Sequence, residues 1–358
     1  MELVVEKYKQ TEVGLIPSDW EVKTLGDLGE VKMCRRIFNN ETSPNGSIPF
    51  FKIGTFGKEP DAYISKEQYD DYRKRFSFPR KGDILISAAG TIGRTIIYNG
   101  EDAYFQDSNI VWIENDLETV SNEFLYHIYQ VANYKTEGGT IQRLYNSILK
   151  ATKFKCPTKV EQTAIATALS DTDALISSLE KLLTKKRNIK QGAMQKLMQP
   201  KEGWEVKKLG DVVNIRKGQL ITESTSVLGS IPVIAGGKTP AYFHNKANRF
   251  GKTITISGSG ASAGYIAFHN YPIFASDCST IEEHQDYSIE YVYYLMQLLQ
   301  DKIYKMQTGG AQPHIHPSNL NPIEVSFPKK EKQEQIATIL SDMDAEISAL
   351  ETNLEKYI

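Results

Sequence analysis

Cysteine is scarce in this 358-residue chain: Cys34, Cys156 and Cys278 stand far apart, with no Cys-x-x-Cys pair and no Cys/His spacing that could close around zinc. That leaves three buried, idle thiols as the expectation. A charge excess of either sign is missing too. The 42 Lys and Arg against 44 Asp and Glu leave a formal charge of −2, which argues against a continuous polyanion-binding coat but not against local basic clusters. No run of eighteen apolar residues occurs, and Met1-Glu-Leu-Val-Val-Glu-Lys7 lacks the basic-then-apolar layout of a signal peptide. The expectation is a cytoplasmic protein without a membrane span.

Catalytic motifs are also lacking. Gly237-Lys-Thr239 and Gly251-Lys-Thr253 miss the phosphate-loop glycine five positions earlier, where Pro232 and Lys246 stand. Gly258-Ser-Gly-Ala-Ser-Ala-Gly264 has its third glycine one residue late for a dinucleotide loop. His314-Ile-His316 has no third metal ligand nearby. Asn321-Pro-Ile-Glu324 lacks the second proline and the aromatic of an amino-methyltransferase loop, and no carboxylate cluster with a lysine suggests a two-metal nuclease. No catalytic residue, metal site or cofactor is expected in this chain.

What is present is a repeat. Ile165, Leu169, Thr172, Ile176, Leu179 and Leu183 alternate in four- and three-residue steps, and the register continues through Lys186 and Lys190 to Ala193 and Leu197. Pro157 and Pro200 bracket this stretch, which predicts one helix of about 40 residues spanning ~60 Å. Ile336, Leu340, Met343, Ile347, Leu350 and Leu354 repeat the phase 171 positions later. Ahead of each rod the wording also recurs: Trp20-Glu-Val-Lys-Thr-Leu-Gly-Asp27 returns as Trp204-Glu-Val-Lys-Lys-Leu-Gly-Asp211, and Gly82, Ser87, Gly90 and Gly93 return as Gly251, Ser257, Gly260 and Gly264. Asp107 and Asp277 match in the same order. The second copy lacks about thirteen residues between its counterparts of Glu30 and Gly82.

Each copy reads as an α/β or α+β domain. Strands are predicted at 83–87, 95–98 and 110–114, and again at 253–257, 265–268 and 278–282. Helices are predicted at 121–133 and 288–301 behind serine N-caps, with another at 65–75 where Ser65 and Gln68 form a capping-box pattern. Trp20 and Trp204 are expected as core anchors, and the repeated glycines as turn formers. The order is domain 1–157, rod 158–203, domain 204–328, rod 329–358.

Duplicated readers on rods suit a linear, periodic ligand, and double-stranded DNA presents half-sites one turn, ~34 Å, apart on one face. The opening Tyr8-Lys-Gln-Thr-Glu-Val-Gly-Leu-Ile-Pro-Ser-Asp-Trp-Glu-Val22 is one of three carriers of a resemblance. The others are Gly82-Asp-Ile-Leu-Ile-Ser87 with its Gly-x-x-Gly, and the Pro-x-x-x-Glu-Gln-x-x-Ile-Ala that starts the first rod. Over nearly its whole length the chain resembles the specificity subunits of type I restriction-modification enzymes. The resemblance implies two target-recognition domains, each reading half of a bipartite asymmetric site, joined by two long helices in an antiparallel coiled coil. It also implies modification (methyltransferase) subunits, two of them, and restriction subunits as partners, with S-adenosylmethionine, ATP and Mg on those partners. A stand-alone DNA-binding regulator, or a complete enzyme with unrecognised motifs, is the alternative.

Candidate DNA contacts follow from side-chain chemistry. In the first domain these are Arg35, Arg36, Arg73, Lys74, Arg75, Arg94, Gln142 and Arg143. In the second they are Arg216, Lys217, Gln219, Lys238, His244, Lys246, Arg249, Gln312 and His314. The second rod stops about thirteen residues short of the first. With antiparallel packing, Ile336 should lie near Ala193–Leu197, leaving Ile165, Leu169 and Thr172 to be covered by Met1–Pro17, a methyltransferase subunit or a second copy.

Overall fold

A computed structural model describes residues 7–134, 143–310 and 312–358, and the chain divides into two units, Met1–Leu175 and Ile176–Ile358. In chain order the first holds β1 (Tyr8–Thr11), β2 (Gly14–Pro17), β3 (Glu21–Thr24), β4 (Val31–Met33), β5 (Ile48–Phe51), β6 (Tyr63–Ile64), α1 (Lys66–Arg75), β7 (Ile84–Ser87), β8 (Thr95–Ile97), β9 (Tyr104–Phe105), β10 (Ile110–Ile113), α2 (Asn122–Val131), α3 (Asn146–Ala151), β11 (Lys153–Cys156) and the start of α4 (Lys159–Leu197). The second continues α4 and adds β12 (Glu205–Lys208), α5 (Leu209–Val212), β13 (Arg216–Lys217), β14 (Ile231–Ile234), β15 (Tyr242–His244), β16 (Thr253–Ser257), β17 (Ile266–His269), β18 (Phe274–Ala275), β19 (Cys278–Glu282), α6 (Ile289–Leu298), α7 (Gln300–Lys305), α8 (Pro317–Leu320), β20 (Glu324–Phe327) and α9 (Lys330–Leu354).

One topology occurs twice. The first unit has a four-stranded antiparallel sheet ordered β4-β10-β7-β8 and a three-stranded sheet ordered β6-β5-β9, in which β5 and β9 run parallel. The second unit repeats both as β13-β19-β16-β17 and β15-β14-β18, with β14 and β18 parallel. The pair β3–β11 is answered by β12–β20. The expected fold class, two similar α/β (α+β) domains with two long helices, is therefore present. The three-stranded sheets had no legible signal, because their strands are two to four residues long.

Strand alternation sends the two faces of the larger sheet into different surroundings. In the first unit Ile84, Ile86, Val111 and Ile113 pack with Phe124, Leu125 and Ile128 of α2. Leu85, Ile110 and Trp112 point the other way, into a core shared with Phe50, Tyr69 and Tyr104. In the second unit Ile254, Ile256 and Ile281 pack with Tyr291, Val292 and Leu295 of α6.

The predicted helices form, with local differences. Ser65, Ser121 and Ser288 each accept a backbone N–H three residues on. The Ser65 capping box is only half made, because Gln68 Nε2 turns to Glu41 instead, at 2.8 Å. The predicted 288–301 helix breaks at Leu299 (φ −89, ψ 1) into α6 and α7. The thirteen-residue deficit of the second copy falls largely where the first has α1, between β6 and β7.

The tryptophan expectation holds for Trp204, which packs partly buried against the second unit's core, but not for Trp20, and the deeply buried tryptophan is Trp112, at 2 % exposure. Trp20 Nε1–H donates to Glu161 at 3.3 Å, which holds the indole at a surface where its polar edge is satisfied. The thiols Cys34, Cys156 and Cys278 are all buried, and burial pushes Cys34 and Cys278 up to about 12.

Each rod begins with the same clamp. Gln162 Oε1 accepts Ser121 N–H at 3.3 Å while its Nε2–H donates to Pro157 O at 3.1 Å. Gln333 does likewise, with Ser288 N–H at 3.0 Å and Pro328 O at 2.9 Å. Both glutamines are buried, so both ends of the amide must be satisfied.

Within the second unit the rods pack antiparallel. Arg187 pairs with Glu351 at 2.6 Å and Lys190 with Asp344 at 2.5 Å, so advancing along α4 means retreating along α9. Lys186, the other lysine on the seam, pairs with Glu346 at 2.5 Å. Leu179, Leu183, Ile336, Leu340 and Ile347 are buried; Ile176, Met343, Leu350 and Leu354 are half-buried. Ile336 shares a core with Met194 and Met198, as the antiparallel register required. Those methionines are buried more deeply than the predicted Ala193 and Leu197, because a straight helix of 3.6 residues per turn drifts off a 3.5 repeat. At the other end Ile165 is half-buried against the core of its own domain, while Leu169 stays 44 % exposed.

Candidate nucleic-acid interface

In both units the glycine-rich turn leaves the same end of the four-stranded sheet. In the first, β7 ends at Ser87, opposite Ile110 at the start of β10, with the end of β4 alongside. Gly90 and Gly93 turn the chain at φ +65 and +85, a region costly for side-chain-bearing residues. Gly93 N–H donates to Ser87 O at 3.0 Å, and Arg94 N–H to Ser87 Oγ at 2.9 Å. The second unit repeats the device after β16, with Gly260 and Gly264 at φ +79 and +86 and Gly264 N–H on Ser257 O at 2.8 Å.

Several candidate contacts gather at this end. Arg36, just beyond β4, donates through Nε to Asp107 at 2.8 Å. Arg35 and Arg75 both lie over the Phe76 ring, 5.3 Å from its centroid, and Arg75 also pairs with Asp71. Arg143 bridges to Ala89 of the turn, and Arg94 Nη1–H donates to Phe56 O at 2.9 Å. In the second unit Lys217 ends β13, Gln219 follows it, and Lys238 lies over Tyr265, 5.5 Å from the ring centroid. His314 bridges to Ser259, and Gly260 N–H donates to Pro313 O at 3.0 Å, which brings exposed Gln312 beside the turn. The rings of His314 and His316 stack at 6.1 Å.

Other candidates lie elsewhere. Arg73 turns to Tyr69 Oη at 3.1 Å and lies over Phe78, and Lys74 sits exposed on α1. Arg216 and Arg249 converge on Glu282, at the opposite end of the sheet, and Arg249 also donates to Thr280 Oγ1 at 2.9 Å and Asn248 O at 2.8 Å. His244 is buried, with Nδ1 accepting Val227 N–H at 3.0 Å and the ring edge-on to Phe274, so it braces a loop. Lys246 is exposed beyond β15. Gln142 lies outside the described residues.

Sequence reasoning missed three participants: Phe76, Tyr265 and Ser259, whose hydroxyl bonds Asp277. Asp107 and Asp277 were visible as matched positions, and their place beside both turns gives that match a structural meaning. Among the described residues no helix is long and apolar enough to cross a membrane, and no three His, Cys, Asp or Glu side chains group as a metal site.

The model of the type I restriction modification DNA specificity domain matches residues 17–191 and again 201–358, the two copies of the repeat. The chain belongs to this family. A putative type I restriction enzyme specificity subunit of Haemophilus influenzae is 56 % identical over 160 residues, 44 % of this chain and 42 % of that protein. A type I restriction enzyme specificity subunit of Methanocaldococcus jannaschii is 28 % identical over 254 residues, 59 % of this chain and 56 % of its own. The chain thus spans about half the length of these two relatives. The crystal structure of the type I restriction-modification S subunit of M. genitalium superposes with a TM-score of 0.68 at 20 % identity, covering 94 % of this chain and 92 % of that one, a likeness of fold.

Proposed function

We propose that the chain reads a bipartite, asymmetric DNA site, one half with each unit, and directs partner methyltransferase and restriction subunits to it. One observation carries this reading: the same glycine-turn end of the same sheet recurs in both units but presents different side chains. Arginines dominate the first, with Arg35, Arg36, Arg94 and Arg143; Gln219, Lys238, Gln312 and His314 take their place in the second. Arginine forks and glutamine amides suit guanine and adenine edges, while lysines anchor phosphates. S-adenosylmethionine, ATP and Mg belong to the partners, two modification subunits and the restriction subunits.

The test is enrichment of random duplex DNA by the full chain, followed by methylation assays with and without a cognate modification subunit. A split motif, and adenine methylation only when the modification subunit is added, is the expected result. Methyl transfer by the pure chain, or a single unbroken motif, would overturn the proposal.

A further inference from the structure

The geometry points to Arg36 as the reader of a guanine in the first half-site, with Asp107 as the positioning residue that aims it. This rests on the DNA-reading function above. Arg36 differs from the other arginines of its unit in how its guanidinium is held. Its Nε–H is taken by Asp107 Oδ2 at 2.8 Å, while neither Nη makes a hydrogen bond among the described residues. The Arg36 side chain is 58 % exposed, and Asp107 beneath it only 15 %. By contrast Arg73, Arg75, Arg80 and Arg94 each commit an Nη to a partner in their own domain, and Arg35 lies over the Phe76 ring.

A carboxylate against Nε has two consequences. It fixes the plane and direction of the fork, so two N–H groups project outward as a preformed pair that matches the O6 and N7 acceptors of guanine. It also offsets the guanidinium charge, which weakens a phosphate contact but leaves intact the directed donors that a neutral base edge requires.

The backbone that carries this carboxylate makes a tight turn. Asn109 N–H closes back on Asp107 O at 2.6 Å, and Ser108 between them sits at φ +54, a left-handed conformation rarely taken outside glycine. In the second unit Asp277 occupies the matching place but accepts from the Ser259 hydroxyl of the glycine turn, and among the described residues no arginine pairs with it. The device therefore serves one half-site only.

Enrichment of random duplex DNA by the full-length wild-type, Arg36→Ala, Arg36→Lys and Asp107→Ala proteins tests the inference. Arg36→Ala should erase the guanine preference at one position of one half, a loss of roughly 5- to 150-fold against the other bases. Arg36→Lys should not restore it, since a lysine keeps the charge but not the fork. Asp107→Ala should weaken preference at that same position while affinity for unrelated sequences stays equal or rises. An unaltered second half-site shows that a variant is folded; where alanine disturbs it, the lysine variant supplies the result. An equal loss across all sequences, full rescue by lysine, or an unchanged guanine preference would overturn the assignment. A wild-type chain that enriches no split motif overturns the underlying function itself, a distinguishable outcome.

Discussion

In the first unit the sheet face turned away from α2 carries Leu85, Ile110 and Trp112 into a core of fifteen buried apolar residues. In the second the matching positions are Thr255, Cys278 and Thr280, and among the described residues Cys278 joins only Ile234, Ile273 and Ala275 in a small apolar cluster. The register makes the match: Ser87 faces Ile110 as Ser257 faces Cys278. On the helix side both units are alike, with isoleucines packed against α2 or α6. The helix face sustains the shared topology, and the opposite face is free to diverge. Where α1 is inserted, Tyr69 helps cover an aromatic core. Where it is missing, Thr280 Oγ1 accepts from Arg249 and Thr255 Oγ1 meets His269 Nε2 at 2.9 Å, so polar bonds replace apolar burial.

The widest difference should appear on truncating the paired positions. Trp112→Ala removes a fully buried indole and should destabilise the first unit by roughly 3–5 kcal/mol. Thr280→Val, at the matching place, removes the hydroxyl that accepts from Arg249 and donates to Arg216 O but leaves Arg249 on Glu282, and should cost only about 0.5–1.5 kcal/mol. Chemical denaturation of both variants decides it, and equal losses would show that the two faces are not divided as described.

Acid should single out the second unit. Burial pushes His269 down to about 4 from its ordinary 6.5, so between those values the unfolded chain binds a proton that the folded one refuses. Stability should therefore fall as pH drops from 6.5 to 4, by up to about 3 kcal/mol. His269→Gln should flatten that slope, as followed by melting across the pH series.

The rod clamps test what the units share. Gln162→Leu and Gln333→Leu leave the N–H groups of half-buried Ser121 and buried Ser288 unpaired and should each cost about 1–3 kcal/mol. A large asymmetry in melting temperature would break that equivalence.

The smallest effect belongs to the exposed part of the rod pair. Lys186→Gln removes the partner of Glu346 at a site 30 % and 52 % exposed, and should change stability by less than about 1 kcal/mol. A double-mutant cycle with Glu346→Gln measures it.

The sequence by itself determined the repeat, the sheet strands that face α2 and α6, the serine caps and the apolar seam of each rod, while the antiparallel sense of the rods was implied by the family resemblance. These are features of period and local chemistry: 3.5-residue apolar spacing, β-branched runs, and glycines that turned out to need positive φ. It also marked Asp107 and Asp277 as equivalent, without saying what either one holds. Only the tertiary structure decided which cations share the glycine-turn end. Arg36 and Asp107 lie 71 positions apart, and Arg249, in the link between β15 and β16, meets Glu282 at the end of β19 only through the folded sheet. A basic residue in sequence is just a charge; whether it faces outward as Arg36 does, or is consumed inside like Arg249, depends on the acceptors that long-range strand register sets beside it.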